Sequence, residues 1–118
     1  MRYYSKEQLW IEIEENFATI GICRYFIIRN ACITYIQIDE PGNEIKIGNS
    51  LFTLENDKSA IDFTAPVTGV IIERNNALIN TPSLLSSLTE DECWICRIKV
   101  KHVDYSFLMT LEEYNTFN

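Results

Sequence analysis

Histidine is almost missing from this sequence: among 118 residues it occurs once, as His102. Ser/His/Asp and Cys/His constellations need an imidazole beside a nucleophile. No such set assembles around His102, which sits between Lys101 and Val103, beyond the last expected strand, and reads as a surface residue. No catalytic residues are assigned, and the chain reads as a non-enzyme. Bases are scarce as well. Ten Lys and Arg stand against seventeen Asp and Glu, a formal net charge of −7. A surface of that sign repels phosphate backbones and excludes nucleic acid as a partner, while it favours basic docking sites on other proteins. No apolar run approaches the roughly 20 residues that cross a bilayer, so no membrane is expected. The first residues, Met1 to Glu7, have neither the apolar stretch of a secretory signal nor the Ser/Arg-rich, acid-poor composition of a transit peptide. The expected location is the cytoplasm.

What is present is ordinary globular composition, 47% hydrophobic and 23% charged, in a length that suits one domain over residues 1–118 with a core that needs neither disulfide nor metal. Four cysteines occur, Cys23, Cys32, Cys93 and Cys96, and in a reducing compartment they stay free thiols. Cys93-Trp94-Ile95-Cys96 has the C-x-x-C spacing of redox pairs and of half a zinc site. The run from Cys93 to Val100 reads as a strand, however, where residues three apart face opposite ways. A zinc site would also need a second ligand pair. Cys93 and Cys96 are read as buried structural cysteines.

Short strands dominate the pattern. Trp10–Glu14 alternates apolar and polar residues, Glu15-Asn16 turns the chain, and Phe17–Ile22 returns. Cys32–Ile38 is rich in Ile, Thr and Tyr; before it, Arg24–Asn30 has an ambiguous pattern that one or two helical turns would fit. Further strands are expected at Ile45–Gly48, Leu51–Glu55, Ala60–Phe63 and Val70–Arg74, the last closed by Asn75 and Asn76. Turns fall at Asp39–Asn43 and Pro66–Gly69, where Gly69 is expected to supply a positive φ. Thr81-Pro82-Ser83 reads as a helix start with Pro at the first position. Thr110-Leu111-Glu112-Glu113 reads as a capping box opening a C-terminal helix. Many short strands with Gly, Pro and Asn turns argue for a mostly β sandwich or barrel.

The stretch that carries chemistry is Leu54-Glu55-Asn56-Asp57-Lys58-Ser59-Ala60-Ile61-Asp62, followed by Ala65-Pro66-Val67-Thr68-Gly69-Val70. It places Lys58 in a polar turn between two strands. A modifying enzyme needs such a place, with the amine at a tip and the tip on a rigid hairpin. An amide on that amine removes its charge and lengthens the arm. Taken alone, a turn lysine is more often simply solvated.

Over nearly its whole length the chain resembles the lipoyl-carrying H proteins of the glycine cleavage system. That family reads E-S-V-K-A-x-S-D around its lipoylated lysine, then P-V-S-G-x-V and an Asn. Glu55, Lys58, Asp62, Pro66, Val67, Gly69, Val70 and Asn75 match in register. Tyr4-Ser5-Lys6-Glu7-Gln8-Leu9-Trp10 is similar to Y-[ST]-x-E-H-x-W, and Ala18-Thr19-Ile20-Gly21-Ile22-Cys23 to A-T-[VI]-G-I-T. Cys93-Trp94 stands where a Gly-Trp is usual, and Glu113-Tyr114-Asn115-Thr116-Phe117 matches E-Y-x-x-F. The resemblance implies a barrel-sandwich hybrid of two antiparallel sheets, with short helices and a C-terminal helix. It implies lipoate on Lys58, with Glu55 and Asp62 helping the turn to be recognised. It implies a carrier serving glycine decarboxylase (P protein), aminomethyltransferase (T protein) and dihydrolipoyl dehydrogenase (L protein), loaded by a lipoate ligase or lipoyltransferase.

Departures keep other readings open. Leu9 replaces an acidic residue, Gln8 a His, and Asn30-Ala31-Cys32-Ile33 stands where L-G-D-I is usual. Such changes resemble H-like carriers linked to lipoate relay or redox-linked ADP-ribosylation signalling. Asp57-Lys58 is also similar to the D-K-A of lipoyl domains serving 2-oxoacid dehydrogenases, although those are shorter and precede linkers. A biotin carrier would place Met on both sides of Lys58, where Asp57 and Ser59 stand. A dithiol oxidoreductase using Cys93 and Cys96, and an unmodified interaction module, complete the alternatives.

Overall fold

The computed structural model describes residues 1–30 and 32–117; of the expected Asn30–Ile33 departure, Ala31 lies outside them. Among the described residues nine strands form two antiparallel sheets. The larger contains β1 (Arg2–Tyr4), β2 (Leu9–Glu14), β3 (Phe17–Ile22), β5 (Glu44–Ile45), β8 (Thr68–Arg74) and β9 (Trp94–His102) in the order β1-β2-β3-β9-β8-β5. The smaller contains β4 (Tyr35–Ile38), β6 (Ser50–Glu55) and β7 (Ala60–Thr64) in the order β4-β6-β7. Short helices α1 (Arg24–Arg29), α2 (Asn76–Asn80) and α3 (Leu111–Phe117) and two 3₁₀ turns complete the fold. No helix among the described residues is long and apolar enough to cross a membrane.

The sheets close on a core that includes Leu9, Ile11, Ile20, Phe52, Leu54, Phe63, Ile71, Ile95 and Ile98. Alternation sets which side chains enter it. In β4 the pattern is exposed, buried, exposed, buried, so Ile36 and Ile38 point inward while Tyr35 and Gln37 face solvent. Phe63 anchors β7, stacked on Phe52 at 4.5 Å and meeting Phe26 of α1 edge-on at 5.1 Å. The base of the β6–β7 hairpin is thus held by three aromatic rings, an arrangement stronger than area burial alone provides.

Several expectations shift in detail. The segment after α1 becomes a strand only at Tyr35, because Cys32 takes a left-handed φ of 67° that breaks an extended run. Ile45–Gly48 is a strand only at its start. Lys46 N–H donates to the Asn49 side chain and Gly48 has a φ of 91°, so residues 46–49 form a turn. Asn75 does not end a strand passively. Its side chain accepts from Leu78 N–H and caps α2, which the sequence reading did not anticipate, and it donates to the Trp94 carbonyl at 2.8 Å. The Thr81-Pro82 start opens a 3₁₀ turn over Pro82–Ser86. The last strand runs through His102, so that residue ends the strand rather than lying beyond it, and it is exposed.

Gly69 is required for a different reason from the one expected. Its φ is not positive; a Cβ there would meet the Lys99 carbonyl oxygen at 2.2 Å across the β8–β9 ladder. The C-terminal capping box forms as read: Glu113 N–H donates to Thr110 Oγ1 at 3.2 Å and Thr110 N–H to Glu113 Oε1 at 2.9 Å. Helix α3 then stacks Tyr114 on Tyr4 at 4.7 Å.

Candidate functional site: the hairpin that carries Lys58

Strands β6 and β7 pair as Thr53↔Asp62, Leu54↔Ile61 and Glu55↔Ala60, which leaves residues 56–59 as the connecting turn. Asn56 builds that turn. Its Oδ1 accepts from Lys58 N–H at 2.9 Å and from Ser59 N–H at 2.8 Å, while Asn56 N–H donates to the Ser59 carbonyl at 3.0 Å. This is an Asx turn closed across its mouth, and it fixes the backbone on either side of Lys58 without using the lysine side chain. The part Asn56 plays in closing this turn was not read from the sequence. The available signal was an Asn two residues before an exposed turn lysine.

Lys58 is exposed. Among the described residues no carboxylate lies within ion-pair distance of its ammonium and no acceptor holds it. The geometry suits acylation, because an incoming group meets neither a competing ion pair nor a wall of protein. Glu55 is half-buried at the strand end and Asp62 is exposed. The two lie on one face of the sheet, two residues apart in the pairing register. They are not equivalent, since the Thr53 hydroxyl donates to Asp62 Oδ1 whereas the Glu55 backbone carbonyl is tied to Thr34.

The other chemically competent groups lie elsewhere. Cys23, Cys93 and Cys96 are buried free thiols and Cys32 is exposed. Burial pushes the Cys96 thiol up to about 12, Cys23 to about 12 and Cys93 to about 11. Such thiols hold their protons and are poor nucleophiles at neutral pH. Cys93 precedes the strand rather than opening a helix, and its Sγ faces the Leu85 carbonyl at 3.7 Å. Among the described residues no group of three His, Cys, Asp or Glu is placed to hold a metal.

A cleft of about 520 Å³ lies between Ser5–Glu7, Thr64–Pro66 and Phe107–Met109. Glu7 Oε1 forms one wall, accepting from Thr64 N–H at 2.9 Å and from Thr64 Oγ1 at 2.6 Å. The cleft sits at the end of β7 opposite the Lys58 turn, about 13 Å along the strand from Ala60 by its rise per residue. Leu9, in place of the expected acidic residue, is fully buried in the core and presents no charge to solvent.

The family model described as Glycine cleavage H-protein matches residues 2–118. The chain is 35% identical over 116 residues to the glycine cleavage system H protein of Coprothermobacter proteolyticus, covering 97% of this chain and 91% of that one. It is 36% identical over 116 residues to that of Thermoanaerobacter pseudethanolicus, covering 98% and 91%. With the putative mitochondrial glycine cleavage system H protein of Schizosaccharomyces pombe the identity is 30% over 117 residues, covering 98% of this chain and 69% of that protein. The crystal structure of a glycine cleavage system H protein from Mycobacterium marinum superposes with a TM-score of 0.89 over 98% of this chain and 94% of that one, at 24% identity. At that identity the structural match bears on the fold.

Proposed function

This chain belongs to the glycine cleavage H-protein family, and from that premise we propose that it is a lipoyl carrier of the glycine cleavage system with Lys58 as the attachment residue. The observation that carries the reading is an unpaired lysine in a turn closed by Asn56, at the end of a hairpin whose base is locked by Phe26, Phe52 and Phe63. A lipoyl group in amide linkage there supplies a dithiolane able to accept an aminomethyl group at the P protein, yield it at the T protein and be reoxidised at the L protein.

The protein's own contribution is presentation. Asn56 holds the turn backbone so that the Lys58 side chain leaves in a constant direction. The aromatic base keeps the hairpin from splaying under load. Glu55 and Asp62 place negative charge beside the turn, which supports recognition by a lipoate ligase or lipoyltransferase with a basic approach surface. The free chain then works in the cytoplasm, handed from one partner to the next.

Intact mass tests the attachment. Incubation of the full chain with lipoate, ATP and a lipoate ligase adds one lipoyl group, and Lys58→Arg adds none. Reconstitution with purified P, T and L proteins tests the finer role. The lipoylated chain supports glycine decarboxylation above an unlipoylated control, and equal rates overturn that role.

A further inference from the structure

The solvent face of the small sheet carries an aromatic residue that the fold does not use. β4 pairs β6 with Tyr35 opposite Glu55, and β6 pairs β7 with Glu55 opposite Ala60. Tyr35, Glu55 and Ala60 thus form the row of side chains nearest the Lys58 turn, and Gln37, Thr53 and Asp62 form the next. Cross-strand neighbours on one face stand about 5 Å apart, and Ala60 is too small to screen the others.

Tyr35 is 48% exposed. Among the described residues its ring stacks on no other ring and its hydroxyl makes no hydrogen bond. The charges around it are mostly negative. β4, β6, β7 and the turn hold Glu55, Asp57 and Asp62 and one base, Lys58. Arg74 borders the same groove along β4 but is tied to the Ile38 carbonyl at the other end of that strand.

We propose that Tyr35 is a specificity-determining contact for the enzyme that acylates Lys58, as the apolar anchor of an acidic face that fits a basic surface. The proposal rests on Lys58 being the acceptor. One occupant is selected by reach. Before modification the amine stands only a four-carbon stem from the backbone, so an acylating enzyme must settle onto the hairpin and touch the row beside it. Enzymes that meet the lengthened arm can act from further away. An exposed tyrosine flanked by carboxylates suits that contact. Tyr gives a large rigid area at low entropy cost and is enriched where truncation hurts binding most, while Glu55, Asp57 and Asp62 steer a basic partner.

The test uses the full chain with lipoate, ATP and a lipoate protein ligase, reading initial rates of mass gain against carrier concentration. Tyr35→Ala is expected to raise KM about tenfold with kcat little changed. Tyr35→Phe keeps the KM of the parent, and Tyr35→Lys exceeds the loss of Tyr35→Ala because it adds a base to the acidic face. Tyr105→Ala, at a tyrosine 53% exposed outside the small sheet, leaves KM unchanged. The parent's KM rises with ionic strength, as a contact between opposite charges requires. An unaltered KM for Tyr35→Ala, or a KM insensitive to salt, overturns this proposal while a mass gain lost with Lys58→Arg leaves the carrier reading standing. Failure of the parent to gain mass removes both.

Discussion

Two regions of this chain hold groups capable of covalent chemistry, and the fold treats them in opposite ways. The β6–β7 turn carries one amine out into water, with its backbone fixed by Asn56 and its side chain unheld. The β9 region carries two thiols with suggestive spacing, and both are fully buried. The C-x-x-C spacing made the thiols a formal candidate that the strand pattern already argued against; environment favours the amine. Desolvation keeps Cys93 and Cys96 protonated at neutral pH, whereas among the described residues no ion pair competes for the Lys58 nitrogen. Chemistry follows access and solvation here, and motif spacing only proposes candidates.

The largest effect that could break this contrast is all or none. Lys58→Arg keeps a positive charge in the turn but offers a guanidinium, which a ligase cannot acylate. Mass spectrometry should show complete loss of the added group with an unchanged melting curve. A residual gain of the same mass would move the site to another lysine. The complementary measurement is thiol titration of the native protein at pH 8. Cys32, exposed, should react with a disulfide reagent, while Cys23, Cys93 and Cys96 should react only after denaturant is added. Prompt reaction of more than one thiol would reopen the dithiol reading.

Next in size is the anchor beneath the turn. Phe63 is 2% exposed and touches both Phe26 and Phe52. Phe63→Ala removes a buried ring and leaves a cavity, and should cost about 3–5 kcal/mol in urea unfolding. A loss under about 1 kcal/mol would mean that the hairpin does not depend on that aromatic base.

The strand pattern, the turn at Lys58 and the terminal capping box were legible because each is local. Alternation in β4 and β6, a polar stretch between two apolar runs, and Thr110 three residues before Glu113 all act over a few positions. What escaped reading depends on contacts distant in sequence. Asn75 looks like a strand terminator until Trp94 comes alongside, nineteen residues on, to accept its amide. Gly69 looks like a turn glycine until the Lys99 carbonyl of the neighbouring strand is seen to fill its Cβ position. Strand β1 carries too few residues to show a period, and it forms by pairing Arg2–Tyr4 with Trp10–Glu12. Lys58 could be placed in an exposed turn from the local pattern alone, whereas Tyr35 could be set beside that turn only through the β4–β6 register.

A smaller effect sharpens the buried half of the contrast through pH. The folded protein holds Cys23, Cys93 and Cys96 protonated up to about 11–12, against 9.0 for a free thiol. Above pH 9 the unfolded chain therefore binds fewer protons than the folded one, and stability falls with rising pH until the folded values are reached. Well below pH 9, where the unfolded thiols are protonated too, these groups contribute no slope. Urea midpoints should decline between pH 9 and 11, and Cys96→Ala should decline less steeply. Parallel slopes for the two proteins would show that Cys96 ionises as readily in the fold as out of it.

The smallest effect probes the exposed half. Asn56→Ala removes an acceptor for two backbone N–H groups, but both lie in an exposed turn where water can replace it. The stability loss should stay near 1 kcal/mol or below. The effect on modification should be proportionally larger. Once Oδ1 no longer pins Lys58 N–H, the turn samples several conformations and the amine leaves in the right direction for only a fraction of the time. A ligase that binds the competent conformer then sees its apparent affinity fall by that fraction. The expected pattern is a nearly unchanged melting curve with a several-fold rise in KM for lipoylation. If both stay at the parent values, the turn is rigid for some other reason and Asn56 is not what aims the lysine. If the melting temperature drops by many degrees as KM rises, Asn56 supports the hairpin as a whole, and the division between a stiff base and a separately fixed tip does not hold.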